Sequence, residues 1–160
     1  VSAFVVRLAD VDDAGGIARV HVESWRETYA RLVEPGELDV LSVERRADRW
    51  RTMLSDGTVA WVADDARGTF GFASVVADDS PEAPRPLVLA CIYVLADRLG
   101  SGAGQALLDA ALGDAPASLF VAEDNPRAIR FYERNGFTLD GRSEEHLMVR
   151  TAIRSVRMVR

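Results

Sequence analysis

Lysine is absent from this chain: all 19 basic residues are arginine. No lysine nucleophile, Schiff base or general base is therefore available. Cysteine is nearly absent, with Cys91 alone, which excludes an internal disulfide and a cysteine metal cluster and fits a reducing compartment. Histidine is limited to His21 and His146, which do not stand at metal-ligand spacing, so no metal site is expected. No apolar run approaches membrane-spanning length. The opening Val1-Ser-Ala-Phe-Val-Val6 meets Arg7 after too few apolar residues for a signal-peptide core. A basic surplus is missing too. The formal net charge of −6 argues against nonspecific binding to nucleic acid or an anionic membrane, and it suits a cationic partner such as an amine. What remains, at 160 residues, is an ordinary globular composition, read as one domain with a real core and a cytoplasmic location.

The most informative stretch present is Arg98-Leu-Gly-Ser-Gly-Ala-Gly104. It follows the apolar run 87–95, long enough for a buried strand, and leads into a helical repeat over 102–112. Three alternate glycines between strand and helix bring unobstructed backbone amides to an anion at the positive helix end, although an ordinary loop is the plainer reading.

Upstream, residues 3–8 read as a strand, and Asp10 caps a helix on which Ile17, His21, Trp25 and Tyr29 form one stripe. That stripe is either core packing or, at Trp25 and Tyr29, the wall of a substrate pocket. His21 reads as a packed, hydrogen-bonded histidine. A second helix starts at Ser42 and ends at Asp56-Gly57; its Arg45, Arg46, Arg49 and Arg51 read as solvated surface. Strands over 58–63 and 69–77 follow, then a proline-rich loop over 78–86, expected to help shape a substrate pocket.

Downstream, residues 117–122 are strand-like. Asn125-Pro-Arg-Ala-Ile-Arg-Phe-Tyr-Glu-Arg-Asn-Gly-Phe137 encodes a short helix, with Asn125 as N-cap, Pro126 at the first position and Gly136 as the stop. Two antiparallel strands complete the tail. A dinucleotide site has one point in its favour, because Glu123 stands about twenty residues after the loop, where a ribose-binding acid would be. The spacing Gly100-x-Gly102-x-Gly104 nevertheless breaks the dinucleotide pattern, since position 105 is Gln, and no NTPase P-loop is present.

Tyr93-Val94, the loop from Leu99 to Gly104 with Gln105-Ala-Leu-Leu108, and the Asn125–Phe137 segment together resemble the GCN5-related N-acetyltransferase (GNAT) superfamily. Ser24-Trp-Arg-Glu-Thr-Tyr29 is similar to the first helix of a bacterial subset of that family. The resemblance implies an α/β (α+β) GNAT fold: a mixed, mostly antiparallel sheet of about seven strands flanked by about four helices. It implies acetyl-CoA as cofactor and direct acetyl transfer to the primary amine of a small molecule or a peptide amino terminus. The amides of Leu99, Gly100, Ser101, Gly102, Ala103 and Gly104 would hold the pyrophosphate. Ile92, Tyr93 and Val94 would pair with the pantetheine arm, with the Val94 N–H facing the oxyanion. Tyr132 stands at the general-acid position, and Asn125 adds a hydrogen bond to the cofactor arm. One departure is Leu99, where the family has Gln or Arg; Arg98, one place early, is a candidate substitute.

The base is less defined. No acid stands on the strand 87–95, which leaves Glu123, Glu23 or a water chain. Cys91 reads as a core residue, so no acyl-enzyme is expected. A noncatalytic acetyl-CoA-binding or sensory module of the same fold is the alternative to an enzyme. A homodimer through an exposed sheet edge is a further expectation.

Overall fold

The computed structural model describes residues 3–160, so Val1 and Ser2 of the opening apolar stretch lie outside it. Seven strands, β1 (Val5–Leu8), β2 (Ala60–Asp65), β3 (Gly68–Ala77), β4 (Leu87–Val94), β5 (Ser118–Ala122), β6 (Thr138–Met148) and β7 (Thr151–Val159), form one sheet. Its order is β1-β2-β3-β4-β5-β7-β6, and every neighbouring pair is antiparallel except β4–β5. Four helices flank it: α1 (Ala14–Tyr29), α2 (Val43–Ser55), α3 (Ala103–Leu112) and α4 (Pro126–Arg134). This is the mixed, mostly antiparallel architecture expected above.

Local chemistry sets the helix starts. Asp10 accepts from Asp12 N–H while Asp13 reaches back to the Asp10 amide, a capping box on a short 3-10 turn that runs into α1. Ser42 caps α2 by accepting from Arg45 N–H, and Asn125 caps α4 by accepting from Ala128 N–H with Pro126 just inside. Strand boundaries differ from the sequence reading by one or two residues, most at β1 and β2. β1 begins at Val5, not at residue 3, and β2 begins at Ala60 because the Thr58 amide closes the end of α2 on the Met53 carbonyl.

The sheet buries both faces. On β2 and β3 the neighbours Val62/Ala63 and Phe72/Ala73 fall into different clusters, as alternation requires. Val62 and Phe72 pack with Ile17, Val20 and Trp50 of α1 and α2. Ala63 and Ala73 pack with Leu107 of α3, and a further cluster joins Leu108, Leu119, Tyr132, Phe137 and Met158. Burial of each large side chain contributes about 1.5–3 kcal/mol.

Arg46 departs from the solvated reading, because its guanidinium lies 5.1 Å over the Trp25 ring. The 78–86 loop closes on itself through Asp78 N–H to the Pro86 carbonyl, at the end of β4 where Leu87 begins. It therefore lies away from the glycine loop at the other end of that strand and does not shape the pocket described next.

Candidate active site

The site begins as a defect in the sheet. β4 and β5 run parallel but pair only at Val88↔Ser118, so their C-terminal halves diverge. A bulge starts the divergence: Cys91 opposes Ser74 and Leu89 opposes Val75, which leaves Ala90 without a partner. The extra residue reverses the alternation. Leu89 faces the α3/α4 side before it, whereas Cys91 and Tyr93 face α1 after it and Ile92 remains with α3 and α4.

The bulge also leaves backbone groups free. Leu95 N–H donates to the Phe70 carbonyl, so Leu95 and, two back, Tyr93 direct their polar groups toward β3. Ile92 and Val94 must direct theirs into the gap beside β5. A cleft of about 820 Å³ fills this gap and continues along the glycine loop.

The loop is built for backbone contact. Gly100 and Gly102 adopt φ +80° and +88°, in the left-handed region that favours glycine. Gly102 caps α3 without a side chain, and the amides at the start of that helix have no intrahelical acceptor. Ala103 N–H turns to Ser101 Oγ at 3.3 Å, leaving those of Gly104 and Gln105 for a ligand. Leu99 is 44% exposed with an apolar side chain. Contrary to the expectation, its N–H and that of Ser101 are already bonded to the Ala96 and Arg98 carbonyls, so these two amides are not free for a pyrophosphate. Arg98 does not replace the missing side chain. Its guanidinium binds Asp65 at 2.8 Å and Asp97 at 3.1 Å over the Phe70 ring, so although Arg98 lines the cleft its charge is engaged in anchoring the loop.

Across the cleft, α4 presents Asn125, Arg127, Arg130, Arg134 and Tyr132. Tyr132 is 8% exposed between the Phe131 and Phe137 rings, and burial pushes its phenol above the usual tyrosine range. On the α1 side, Trp25 Nε1 donates to Tyr93 Oη at 2.8 Å, and Tyr29 stands edge-on to Trp25. His21 stacks on Tyr93 and accepts from Trp50 Nε1 at Nδ1. Desolvation, with Arg46 and Arg49 nearby, pushes the His21 imidazole down to about 3, so it is neutral and structural. Desolvation likewise pushes the Cys91 thiol up to about 12, far from thiolate chemistry.

The structure brings Ile92, Tyr93, Val94, the six loop residues from Leu99 to Gly104, Asn125, Tyr132, Trp25 and Tyr29 to this one cleft. It does not bring Glu123. That residue's amide extends the β5–β7 ladder to the Arg154 carbonyl, and its carboxylate meets Arg154 at 3.4 Å on an exposed surface. Glu23 is also outside, paired with Arg19 at 3.4 Å. Three groups unanticipated from the sequence line the cleft: Ser24, Glu27 and Thr28. Their i, i+3, i+4 spacing beside Trp25 is a readable stripe on one helix face. His146 of β6 also lines it, through a strand register that no local signal encodes. Among the described residues no cluster of His, Cys, Asp and Glu suits a metal ion, and no helix is long and apolar enough to cross a membrane.

A family model described as an acetyltransferase (GNAT) domain matches residues 56–139. The Uncharacterized N-acetyltransferase YuaI of Bacillus subtilis (strain 168) is 37% identical over 135 residues, 80% of this chain and 76% of YuaI. The Probable N-acetyltransferase Rv2775 of Mycobacterium tuberculosis is 26% identical over 144 residues, 86% of this chain and 82% of that protein. YncA from Salmonella typhimurium, solved with its cofactor acetyl-CoA, shares the fold at TM-score 0.71 and 17% identity, over 99% of this chain and 94% of that one. With a family match over residues 56–139 and a relative 37% identical across most of both chains, this chain belongs to the GNAT acetyltransferase family.

Proposed function

We propose that this protein is an acetyl-CoA-dependent N-acetyltransferase that transfers the acetyl group directly to the primary amine of a small molecule or a peptide amino terminus. One observation carries the reading: the β4 edge opened by the Ala90 bulge runs straight into the glycine loop, so strand-type backbone groups and orphan helix amides line one cleft. The residues present fit such a cofactor. Ile92 and Val94 offer their free N–H and C=O groups to an amide-bearing arm, as a neighbouring strand would. The start of α3 receives a pyrophosphate on its free amides, and Arg127, Arg130 and Arg134 add positive charge along the opposite wall.

When bound, acetyl-CoA supplies a thioester carbonyl open to attack. Val94 N–H would face the thioester oxygen and stabilise negative charge there. Tyr132 keeps its proton at neutral pH, because burial raises its phenol, and donates it to the departing sulfur. Trp25 and Tyr29 wall the acceptor side. Cys91 packs toward α1 and desolvation raises its thiol, which supports direct transfer over an acyl-enzyme. The N-acetyltransferase names of YuaI and Rv2775 and the acetyl-CoA bound in YncA support this reading.

A second reading is a noncatalytic acetyl-CoA-binding module, favoured by the lack of a carboxylate on β4 and the position of Glu123 outside the cleft. Thiol release from acetyl-CoA over a panel of amines and peptides separates the two. Amine-dependent release supports the enzyme, and cofactor binding with no release supports the module.

A further inference from the structure

We propose that Glu27 and Ser24 of α1 form the subsite that receives the acceptor, and that this acceptor is a cationic primary amine that gives its first proton to Glu27. The inference rests on the acetyltransferase reading above and adds the chemical class of acceptor and the group that prepares it.

Glu27 is the only carboxylate among the described residues that line the cleft, and His146 is the only imidazole. The tyrosines there hold their protons, because burial raises Tyr29, Tyr93 and Tyr132. The arginines are permanent cations. Ammonium recognition therefore falls to Glu27 by charge. Its place is favourable as well: Glu27 Oε2 accepts from Ala96 N–H at 3.2 Å. Ala96 is two residues beyond Val94, at most about 7 Å of chain. The carboxylate thus stands within about 10 Å of the Val94 amide, a span that an amine and one water fill.

Ser24 supplies the independent observation. A helical serine commonly returns its hydroxyl to the carbonyl four residues back. Ser24 Oγ does not: the residue is 3% exposed, lines the cleft and has no hydrogen-bond partner. A buried hydroxyl left unpaired is rare and calls for a partner, a place that a ligand in the cleft can take. It lies one helical turn from Glu27, on the same face. Glu27 is exposed at the cleft edge and Ser24 Oγ is covered, so rotation of the Ser24 hydroxyl toward the cleft lets an ammonium held on the carboxylate complete it.

The proton balance closes. The ammonium loses one proton to Glu27, and the free amine forms the C–N bond as the C–S bond breaks. The second nitrogen proton leaves with the thiol through Tyr132, and Glu27 returns its proton to water.

The test compares strongly basic alkylamines with weakly basic amines that are already neutral at the assay pH, in the wild type, E27Q and S24A. Glutamine keeps an oxygen for Ala96 N–H but loses the charge, so the turn after β4 persists. E27Q is expected to lower kcat/KM for strongly basic amines about 10²-fold, to change weakly basic ones by less than about threefold, and to leave acetyl-CoA affinity intact. Alkylammonium binding to the CoA-loaded protein, followed by calorimetry at low salt, weakens about tenfold or more in E27Q. S24A raises the acceptor KM about tenfold and does not lower the melting temperature, because no internal bond is lost. An equal effect of E27Q on both amine classes, no effect on either, or no alkylammonium binding to the wild type overturns the proposal. So does transfer of the basicity-dependent loss to H146N. A wild type that does not bind acetyl-CoA defeats instead the functional reading beneath it.

Discussion

The indole N–H of Trp25 donates to Tyr93 Oη at 2.8 Å and so ties α1 to the half of β4 that has separated from β5. Both residues line the cleft, beside the stacked His21–Tyr93 pair. Trp25→Phe keeps an aromatic ring and removes the donor, leaving a desolvated phenol short of a partner. The expected loss is about 1–3 kcal/mol, read from chemical denaturation, with a raised acceptor KM and an unchanged acetyl-CoA affinity. Unchanged stability and KM would show that the tie contributes nothing.

Tyr132→Phe removes one oxygen from a side chain whose ring is already packed by Phe131 and Phe137. Cofactor binding is expected to persist, while turnover on a true acceptor falls by about 10²–10⁴, the usual worth of a positioned acid. Full turnover in this variant would take the proton-donor role away from Tyr132.

Two loop glycines are expected to respond in opposite ways. Gly102 holds φ +88°, and a Cβ there meets nothing within 4 Å, so Gly102→Ala carries backbone strain alone, about 1–2 kcal/mol. Gly104 lies within α3, where alanine contributes about 0.5–1 kcal/mol to the helix. Its new methyl sits 3.8 Å from Phe131 and 4.0 Å from Val94, on the cleft side. Gly104→Ala should therefore melt higher and bind acetyl-CoA more weakly, which thermal melts and calorimetry measure independently. Tighter cofactor binding would contradict this placement of the methyl.

Glu37 clasps the turn between β6 and β7. Its carboxylate accepts from Thr151 Oγ1 at 2.6 Å, from Thr151 N–H at 2.7 Å and from Arg150 N–H. These bonds, the Thr151 hydroxyl first, push the acid down to about 2 from an ordinary value of 4.5. A depressed acid stabilises the fold above its unfolded value and loses that contribution as the pH falls through the folded one. The melting-temperature gap between the wild type and Glu37→Gln should thus be full at pH 7 and close between about pH 4.5 and 2. A gap independent of pH would exclude the clasp as its source. In the same turn Val149 stands at φ 57°, a left-handed conformation that a β-branched residue rarely adopts. Val149→Gly should relieve about 1–2 kcal/mol.

What the sequence made legible was what neighbouring residues decide. Asn125, Pro126 and Gly136 delimit α4 by local capping chemistry, and alternate glycines before a helix encode a loop whatever surrounds it. The missed features depend on partners distant in the chain. Glu123 is the nearest carboxylate to the implied site in the sequence, but the β5–β7 ladder turns it toward Arg154. Glu27 joins the site only because residue 96 folds back against α1, 69 positions later. His146 arrives through a β6 register shifted between Leu139 and Ser143, around Gly141. Arg98 is turned away from a ligand role by Asp65, a partner on the distant strand β2. The bulge at Ala90, on which the whole cleft depends, leaves no mark in an unbroken apolar run.

The central claim is that the splay between β4 and β5 holds acetyl-CoA, and a thermal melt with and without that cofactor tests it most directly. A ligand bound only by the folded state at about one hundred times its Kd adds about 2.7 kcal/mol, a rise of about 5–10 °C for a chain of this size. A rise of that order, reduced in Gly104→Ala and kept in Tyr132→Phe, is the expected result. An unchanged melting temperature at saturating acetyl-CoA would contradict it.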